Sequence, residues 1–298
     1  MLKKLITIPQ NSPETFGIIL RIGSGIFFAV MVGLIKLLGN ELSLSQLIFF
    51  RSLFAIIPLV IFLQFTSNFP KGLATKHPFK HLARCTFGIV GMFCSFASLK
   101  YLPIAEATVI SFLSPVVLVV LSVFILKETV NQRRWLGVFL GILGLLIMSL
   151  PNFSAELNKD TLLGLFFGVM FAILAAMAML QVRQLSQMGE DSGAIAFYFA
   201  VTGIFVGGVL MLGHWVAPTP IQWFFLVLIG LTGGIAQILM TLSFKYAEAS
   251  AMAAYEYLYV VWTVLIGVLF FDEIPSVYFW LALPVIILGA IIAKPRKR

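Results

Sequence analysis

The fold is decided by a stretch of sequence that occurs twice. Residues 98–101 read Ser-Leu-Lys-Tyr, and residues 243–246 read Ser-Phe-Lys-Tyr. The same shift of 145 residues, carried forward without a gap, superimposes Glu128 on Glu273. A register that is held over such a length is the signature of an internal repeat. The chain is therefore predicted to contain two copies of one structural unit.

The composition places both copies in a membrane. Hydrophobic residues make up 60% of the chain and charged residues 11%, with a mean hydropathy of +1.05. Soluble domains carry about 25% charged residues, so a soluble enzyme is excluded, and so is a disordered chain. A helix needs about 20 apolar residues to cross a bilayer, and the apolar runs are continuous rather than alternating, which favours helices over a β-barrel. Ten stretches qualify as spans: 16–38, 45–66, 82–100, 104–126, 134–150, 161–185, 193–214, 221–246, 248–271 and 277–293.

The number of spans in each copy determines how the two copies are related. We assign the first copy to residues 1–150 and the second to residues 151–298, with five spans each. Because five is odd, the second copy must enter the membrane from the opposite side. The predicted fold is an all-α integral membrane protein, with ten transmembrane helices arranged as two inverted five-helix repeats around a central cavity.

The basic residues orient this fold. Fifteen of the 20 Lys and Arg residues fall in segments on one side of the membrane, three on the other, and Arg21 and Arg51 lie within spans. Cytoplasmic segments carry the excess of Lys and Arg in membrane proteins. We therefore expect a multi-pass protein of the cytoplasmic (inner) membrane with both termini in the cytoplasm.

Each copy carries a spaced set of aromatic, acidic and glycine residues. The set reads Tyr101-Leu102-Pro103, Pro115, Leu126-Lys127-Glu128 and Trp135-Leu136-Gly137 in the first copy, and Tyr246, Phe271-Asp272-Glu273, Trp280 and Gly289 in the second. Over nearly the whole chain, this set resembles the EamA repeat of the drug/metabolite transporter superfamily. The resemblance implies two inverted five-helix halves around a central cavity, and export or uptake of small metabolites.

The second copy departs from this pattern at one position. Val260 stands where the resemblance leads us to expect a proline, next to the aromatic run 255–259. That run resembles the branch of the superfamily that contains S-adenosylmethionine and riboflavin uptake carriers. An uptake carrier of this type is the alternative that the resemblance offers.

Glu256 is the principal candidate for a functional site. It lies about 12 Å into the ninth span, where a carboxylate must be paired, protonated or exposed to water. Tyr259 and Thr263, at i+3 and i+7, share its face of a regular helix. Two interpretations stand: Glu256 lines the cavity, or it is a buried carboxyl bonded to a tyrosine or to Arg51.

The fourth span places a different set of groups at the matching depth. Ser111 corresponds to Glu256 under the shift, and Ser114 and Pro115 lie on the same side. Unlike groups at equivalent depths are how an inverted repeat acquires a specific site at the membrane midplane. We therefore count Ser111, Ser114 and Pro115 among the candidate substrate or coupling residues.

Two arginines lie inside predicted spans. Arg51 is about 9 Å below the outer boundary and needs a partner, either Glu106 or carbonyl groups of neighbouring helices. Glu106 is alternatively a first-turn acid that interacts with the helix dipole. Arg21 is close enough to the cytoplasmic surface to reach water, so we expect its removal to be milder than that of Arg51.

Further polar and aromatic candidates lie in the second half of the chain. Tyr255 and Trp262 are able to stack on a planar substrate, although many aromatic residues in such a chain simply face lipid. Gln237 and Thr241, four residues apart, either pair across helices or contact substrate.

Glu128 and Glu273 follow the fourth and ninth spans, where a carboxylate opposes the helix dipole and needs a specific partner. We interpret both as structural, and either Arg133 or Arg134 would serve Glu128. The fifth span carries Gly137, Gly141 and Gly144, a small-residue pattern whose partner is a neighbouring helix or a second protomer.

These observations favour a secondary transporter that works by alternating access. The substrate would be a small metabolite that is amino-acid-like, nucleoside-like, or cationic and aromatic. The predicted partners are this substrate and the lipid bilayer, with a coupling proton and a homodimer as further hypotheses; nucleic acid is not expected.

No nucleotide-binding GxxxxGK[ST] motif occurs, so direct use of ATP is excluded for this chain alone. A channel and an intramembrane enzyme are the alternatives from other classes, but no catalytic residue, metal site or cofactor site is predicted.

The orientation can be tested by cysteine labelling. In a variant whose Cys85 and Cys94 are replaced by Ser, a cysteine at position 158 should react with an impermeant maleimide added outside the cell. A cysteine at position 67 should react only after the membrane is opened, because the basic residues place that loop inside. The reverse pattern would reject the orientation.

Overall fold

The computed structural model describes residues 13–38, 41–66, 69–101, 110–111, 113–149, 159–271 and 277–292. Within these ranges the regular elements are helical, and no strand is present. The helices are α1 Pro13–Leu38, α2 Leu44–Thr66, α3 Pro78–Tyr101, α4 Leu113–Ile125, α5 Gln132–Ser149, α6 Lys159–Gln187, α7 Ser192–Met211, α8 Pro220–Tyr246, α9 Ala249–Glu256, α10 Leu258–Phe271 and α11 Val277–Ile292, with a 3₁₀ turn at Lys71–Leu73.

Much of the described helical structure suits a lipid environment. Six stretches are long and apolar enough to cross a membrane, and α4 and α11 are shorter apolar helices. Large apolar side chains are exposed on the outside, including Phe79 at 84%, Phe124 at 76% and Leu212 at 75%. A water-soluble surface rarely carries so much exposed apolar area. The chain is a multi-pass membrane protein.

Local sequence explains where several helices begin. The Thr219 hydroxyl accepts from the Gln222 backbone N–H, and the Gln222 side chain accepts in return from the Thr219 N–H, which is a capping box ahead of α8. Asp191 caps α7 by accepting from the backbone N–H groups of Gly193 and Ala194. These side chains satisfy N–H groups that a helix leaves free at its start.

The helices pack mainly across the two halves of the chain. The main pairs are α3 with α6, α1 with α8, α2 with α7, and α5 with α11. At the centre lies α9, whose Ala249, Ala251 and Ala253 are completely buried. It packs against α1, α4 and α5 in the main apolar cluster. Small side chains here allow neighbouring helices to approach closely, as in other membrane proteins.

One expectation about helix shape requires correction. The ninth span, expected as one helix, is divided at Tyr257 into α9 and α10, although the two together are long enough to cross a membrane. The Val260 N–H bonds to the Tyr257 carbonyl oxygen three residues back, so the regular i→i−4 ladder is interrupted without a proline or glycine.

Two adjacent glycines of α7 differ in how closely they approach α2. A Cβ atom at Gly207 would lie 2.8 Å from the backbone nitrogen of Phe49, whereas one at Gly208 would lie 3.4 Å from the ring of Phe49. Backbone cannot yield as a flexible side chain does, so only the first glycine is required by the packing.

We therefore expect Gly207→Ala to reduce the free energy of unfolding by about 1 to 3 kcal/mol, which lowers the thermal midpoint by several degrees. Gly208→Ala is the matched control and should shift the midpoint by less than about 1 °C. Thermal unfolding of both purified variants in one detergent provides the measurement. Equal shifts would show that α2 and α7 do not pack as described.

Candidate functional site

The buried charge pair at the end of α9 joins the two halves of the chain. Arg21 Nη2 on α1 lies 3.0 Å from Glu256 Oε1, with side-chain exposures of 8% and 21%. The Arg21 guanidinium also lies 5.8 Å from the centre of the Phe244 ring. Arg21 is thus buried inside the bundle, and the expectation that it extends to the cytoplasmic surface was wrong. Arg21 is close in sequence to the predicted cytoplasmic end of its span, but α8 and α9 pack on the face of α1 that carries Arg21.

Glu256 is only half satisfied by this pair. Its second oxygen, Oε2, is buried and has no hydrogen-bond partner among the described residues. The ion-pair partner of Oε1 is Arg21, whereas Arg51 forms no ion pair with Glu256. A carboxylate oxygen without a partner in an apolar interior is able to accept from a cationic group.

The division at Tyr257 changes the surroundings expected for Glu256. Tyr259 and Thr263 belong to α10, on the other side of the irregular turn at Tyr257 from Glu256. The Thr263 hydroxyl donates to the Val260 carbonyl at 2.9 Å and is used within its own helix. The Cα atom of Tyr259 lies against Gly25 on α1.

The aromatic candidates line the contact between α1 and the ninth span. Trp262 packs on Gly25, where a Cβ atom would lie 3.4 Å from its ring, and its indole N–H is buried without a hydrogen-bond partner in the described chain. Tyr255 is 6% exposed within the main apolar cluster. Trp262 thus presents an unused donor close to the charge pair, while Tyr255 contributes to packing.

Arg51 on α2 faces the interior and has only weak partners. Its Nε–H donates to the Met31 sulfur at 3.3 Å, and an Nη1–H points to the Met92 sulfur at 3.8 Å. The guanidinium carbon lies 5.9 Å from the centre of the Phe199 ring. Thioether sulfur is a weak acceptor, so the described residues supply no strong partner of the kind that the depth of Arg51 demands. Glu106, the expected partner, lies outside the described residues.

A second buried arginine was not singled out from the sequence. Arg84 on α3 is 3% exposed, lies 4.2 Å from the centre of the Phe199 ring, and has no hydrogen-bond partner for Nε or Nη1 among the described residues. Arg84 sits at the predicted start of the third span and was counted with the cytoplasmic basic residues. Only the packing of α3 on α7 reveals that it points inward.

The side chains of Gln237 and Thr241 on α8 differ in their hydrogen bonding. The Thr241 hydroxyl donates to the Gln237 backbone carbonyl at 2.8 Å, so it serves its own helix. Gln237 is 5% exposed, its Nε2 has no partner in the described chain, and it lines a cavity together with Arg51 and Phe199. Gln237 is therefore the member of this pair with an unused donor.

The polar residues of the fourth span do not reach the Arg21–Glu256 pair through any described contact. Ser114 is 4% exposed and its hydroxyl is unpartnered in the described residues, and Pro115 is buried beside it. Ser111 is partly buried and engaged in an interaction.

Glu128 holds the N-terminus of α9. A turn at Lys127, which has φ of 55°, ends α4 and brings the Glu128 N–H onto the Ser122 carbonyl. The Glu128 carboxylate then accepts from the backbone N–H groups of Ala249 and Ser250, both at 3.1 Å. A carboxylate in this position satisfies free N–H groups and interacts favourably with the helix dipole.

Ion pairs extend from this cap to three other helices. Arg134 pairs with Glu14 at 3.0 Å and with Glu248, and Arg183 pairs with Glu128 at 3.5 Å. The partner expected for Glu128 was Arg133 or Arg134, but Arg134 is taken by the two other acids. The network joins the starts of α1, α5 and α9 to the end of α6 on the side predicted to be cytoplasmic.

The remaining structural candidates are Glu273 and the glycines of α5. Glu273 lies outside the described residues, as do the labelling positions Ser67 and Asn158. On α5, Gly141 packs against the Tyr257 ring and Gly144 against Ile286 of α11, so these glycines face partners within the same chain. A second protomer, the alternative partner for this face, does not have access to them.

Comparisons with known proteins agree with this architecture. The model of the EamA-like transporter family matches residues 15–150 and 162–293. The S-adenosylmethionine uptake transporter of Rickettsia prowazekii (strain Madrid E) is 28% identical over 241 residues, which is 81% of this chain and 79% of that protein. The pseudopaline exporter CntI of Pseudomonas aeruginosa (strain UCBPP-PA14) is 27% identical over 283 residues, 95% of this chain and 96% of that protein. A solved crystal structure of an 18% identical protein superimposes with a TM-score of 0.80 over 95% of this chain and 98% of the other, so the fold is shared.

The contact between Arg21 and Glu256 can be tested by a double-mutant cycle. Arg21→Gln and Glu256→Gln should each reduce thermal stability, because each leaves a buried charge without its partner. The double variant should lose less than the sum, with a coupling free energy of about 1 to 3 kcal/mol. Arg133→Gln, which removes an exposed cation, is the control and should add to Glu256→Gln without coupling. Additivity of the first pair would rule out the contact.

Proposed function

The chain belongs to the EamA-like transporter family, and from that premise we propose that it is a secondary carrier that moves a small metabolite across the cytoplasmic membrane by alternating access. Its matched relatives are named transporters, and the chain is a membrane transporter rather than an enzyme. The observation that carries the proposal is the half-satisfied Glu256 carboxylate at the interruption of the ninth span. Interrupted spans with unused polar groups are where carriers of this kind bind substrates and ions.

The architecture proposed is ten spans in two inverted five-helix repeats, residues 1–150 and 151–298, with both termini in the cytoplasm. Two observations support it. The family model matches two successive stretches of the chain. The helix contacts also occur in equivalent pairs: α3 packs on α6 as α8 packs on α1, while α2 packs on α7 and α5 on α11. Exchange of the two halves relates each of these contacts to another or to itself, as a two-fold relation requires.

The ion-pair network is the proposed gate on the cytoplasmic side. Glu128, Arg134 and Arg183 connect residues of both copies, and the ion pairs lie at helix ends rather than at mid-membrane. Opening this side requires the start of α9 to leave Glu128, which would also move Glu256 at its other end. Movement of α9 would therefore couple opening of the gate to the position of the charge pair.

The substrate proposed is a small metabolite with a cationic group, for which Glu256 Oε2 is the acceptor. The Rickettsia relative is an uptake transporter for S-adenosylmethionine, which carries a sulfonium and an ammonium group. A proton is the proposed coupling ion, because a carboxylate shared between Arg21 and a free site is able to exchange one. A homodimer remains a prediction that would have to use a face other than Gly141 and Gly144.

Uptake and efflux in proteoliposomes test this function. The panel contains S-adenosylmethionine, amino acids, riboflavin and cationic drugs, with and without a pH gradient. The parent should accumulate at least one cationic compound, and Glu256→Gln should abolish accumulation because it removes the charge and the titration while keeping the shape. Exchange without accumulation would assign proton coupling to Glu256, and loss of binding would assign substrate contact.

The variant Arg21→Gln/Glu256→Gln separates this role from a structural one. It removes both charges, so it should recover stability relative to Glu256→Gln and still fail to accumulate substrate. Arg133→Gln should transport like the parent. Parental accumulation by Glu256→Gln between about pH 5.5 and pH 8 would show that the charge of Glu256 has no part in transport.

A further inference from the structure

A small cavity lies between α2, α7 and α8. Arg51, Ser52, Phe199 and Gln237 are among its lining residues, and it encloses about 10 Å³, which is room for about one water molecule, so a larger group enters only when these helices separate. The rest of the lining is small and apolar, from Ala55, Ala196 and Gly233. The polar groups that face the cavity are thus mostly donors.

The cavity has an excess of positive charge. Arg51 contacts two sulfur atoms and one ring face, and Arg84 lies 4.2 Å from the centre of the same Phe199 ring. None of the carboxylates in the described ranges forms an ion pair with either arginine. An aromatic ring attracts a cation but carries no net charge to neutralise it. Two guanidinium groups therefore share one ring in an apolar interior.

Such an arrangement is costly unless an anion completes it. Removing a charge from water without a partner costs several kcal/mol in protein interiors. Among the described residues, three further donors have no hydrogen-bond partner: Gln237 Nε2, which lines the cavity, and Arg84 Nε and Nη1, on the residue that packs on the Phe199 ring. A guanidinium presents parallel N–H groups that match the two oxygens of a carboxylate, and a primary amide adds another donor. The donors match the acceptors of one small, planar anion.

The cavity also lies close to an opening. A larger cleft at the ends of α2, α7 and α8 is lined by Phe62, Ser192 and Tyr246. Phe62 follows the cavity-lining Leu59 by about one helical turn, and Ser192 precedes Ala196 by the same distance. The cleft and the cavity therefore lie about one helical turn apart along α2 and α7, with the cleft on the side predicted to be cytoplasmic.

We propose that this cavity binds a carboxylate group of the transported metabolite. Arg51 and Gln237 contact the carboxylate, and Arg84, across the Phe199 ring, adds positive potential. The inference rests on the proposed carrier function and extends it, because it makes the substrate an organic acid or zwitterion rather than a simple cation.

Thermal unfolding of the purified full-length protein in detergent tests the binding without transport. The probes are three acids with their neutral amides: acetate and acetamide, phenylacetate and phenylacetamide, L-methionine and L-methioninamide, all at one ionic strength set with NaCl. A ligand that binds only the folded state raises the midpoint, by about 3 °C at ten times its dissociation constant. We expect at least one acid to raise the midpoint and its amide to leave it unchanged.

Three variants tie the response to the cavity. Arg51→Gln should abolish the response to the acid, and should leave the ligand-free midpoint unchanged or higher, because it removes an uncompensated charge. Gln237→Glu places a carboxylate inside the cavity, so it should raise the ligand-free midpoint and also abolish the response. Arg133→Gln removes an exposed cation and should respond like the parent.

Four results would overturn the assignment: no response to any acid, an equal response to acid and amide, a larger response to chloride or inorganic phosphate than to the acids, or a marked fall of the ligand-free midpoint in Arg51→Gln. The last would make Arg51 a structural residue. Transport in proteoliposomes with no acid response would contradict this site and leave the carrier function intact. An acid response without transport of any compound would contradict the carrier function instead.

Discussion

The constraint on which this structure depends is that polar groups inside a bilayer must be satisfied by the chain itself. The N-terminus of α9 shows the consequence most directly, because it begins in the protein interior, where its first N–H groups have no water. Glu128, from the other copy of the repeat, supplies both missing acceptors at 3.1 Å. This contact fixes the position of α9 against α4, and with it the position of Glu256 at the far end of α9. A buried cap therefore determines where the central carboxylate lies.

The same constraint is met differently at two levels of α1. Near its start, Arg21 pairs with Glu256, so opposite charges compensate each other. Ten residues further along, or about 15 Å at helical rise, Met31 offers only a sulfur atom to Arg51. Among the described residues, one level therefore has an acid with an unpartnered oxygen, and the other has an arginine whose acceptors are sulfur atoms. A molecule with a cationic and an anionic end would complement both levels, whereas a purely cationic molecule complements only the first.

Sequence reasoning predicted the membrane class, the family and the helical content, because these depend on composition, run length and local motifs. It also selected Glu256 and Arg51, since charges in apolar runs are rare. It did not predict the partners of the polar side chains, because these depend on how each helix is rotated against its neighbours. That rotation is set by packing between helices and cannot be read from one helix alone. Arg21 was expected to extend to the surface and instead pairs with Glu256, and Thr241 serves its own helix. The interruption at Tyr257 was also missed, since no proline or glycine marks it. Arg84 was overlooked because its position at a span boundary is typical of a cytoplasmic anchor.

The shift of 145 residues relates the surroundings of Arg84 to those of Arg51. The shift of 145 residues places Gly88 on Gly233 and Met92 on Gln237. A Cβ atom at Gly88 would meet Arg84 Nη1 at 2.3 Å, and one at Gly233 would lie 3.4 Å from Arg51 Nε, so each glycine makes room for a guanidinium. One turn further on, the first copy presents a thioether to Arg51 and the second an amide to the cavity. The glycines thus recur at the shift of 145 residues, whereas the donors and acceptors do not. In the two inverted halves proposed above, equivalent glycines with unlike side chains would keep the symmetry that alternating access needs and would still allow recognition of a ligand whose two ends differ.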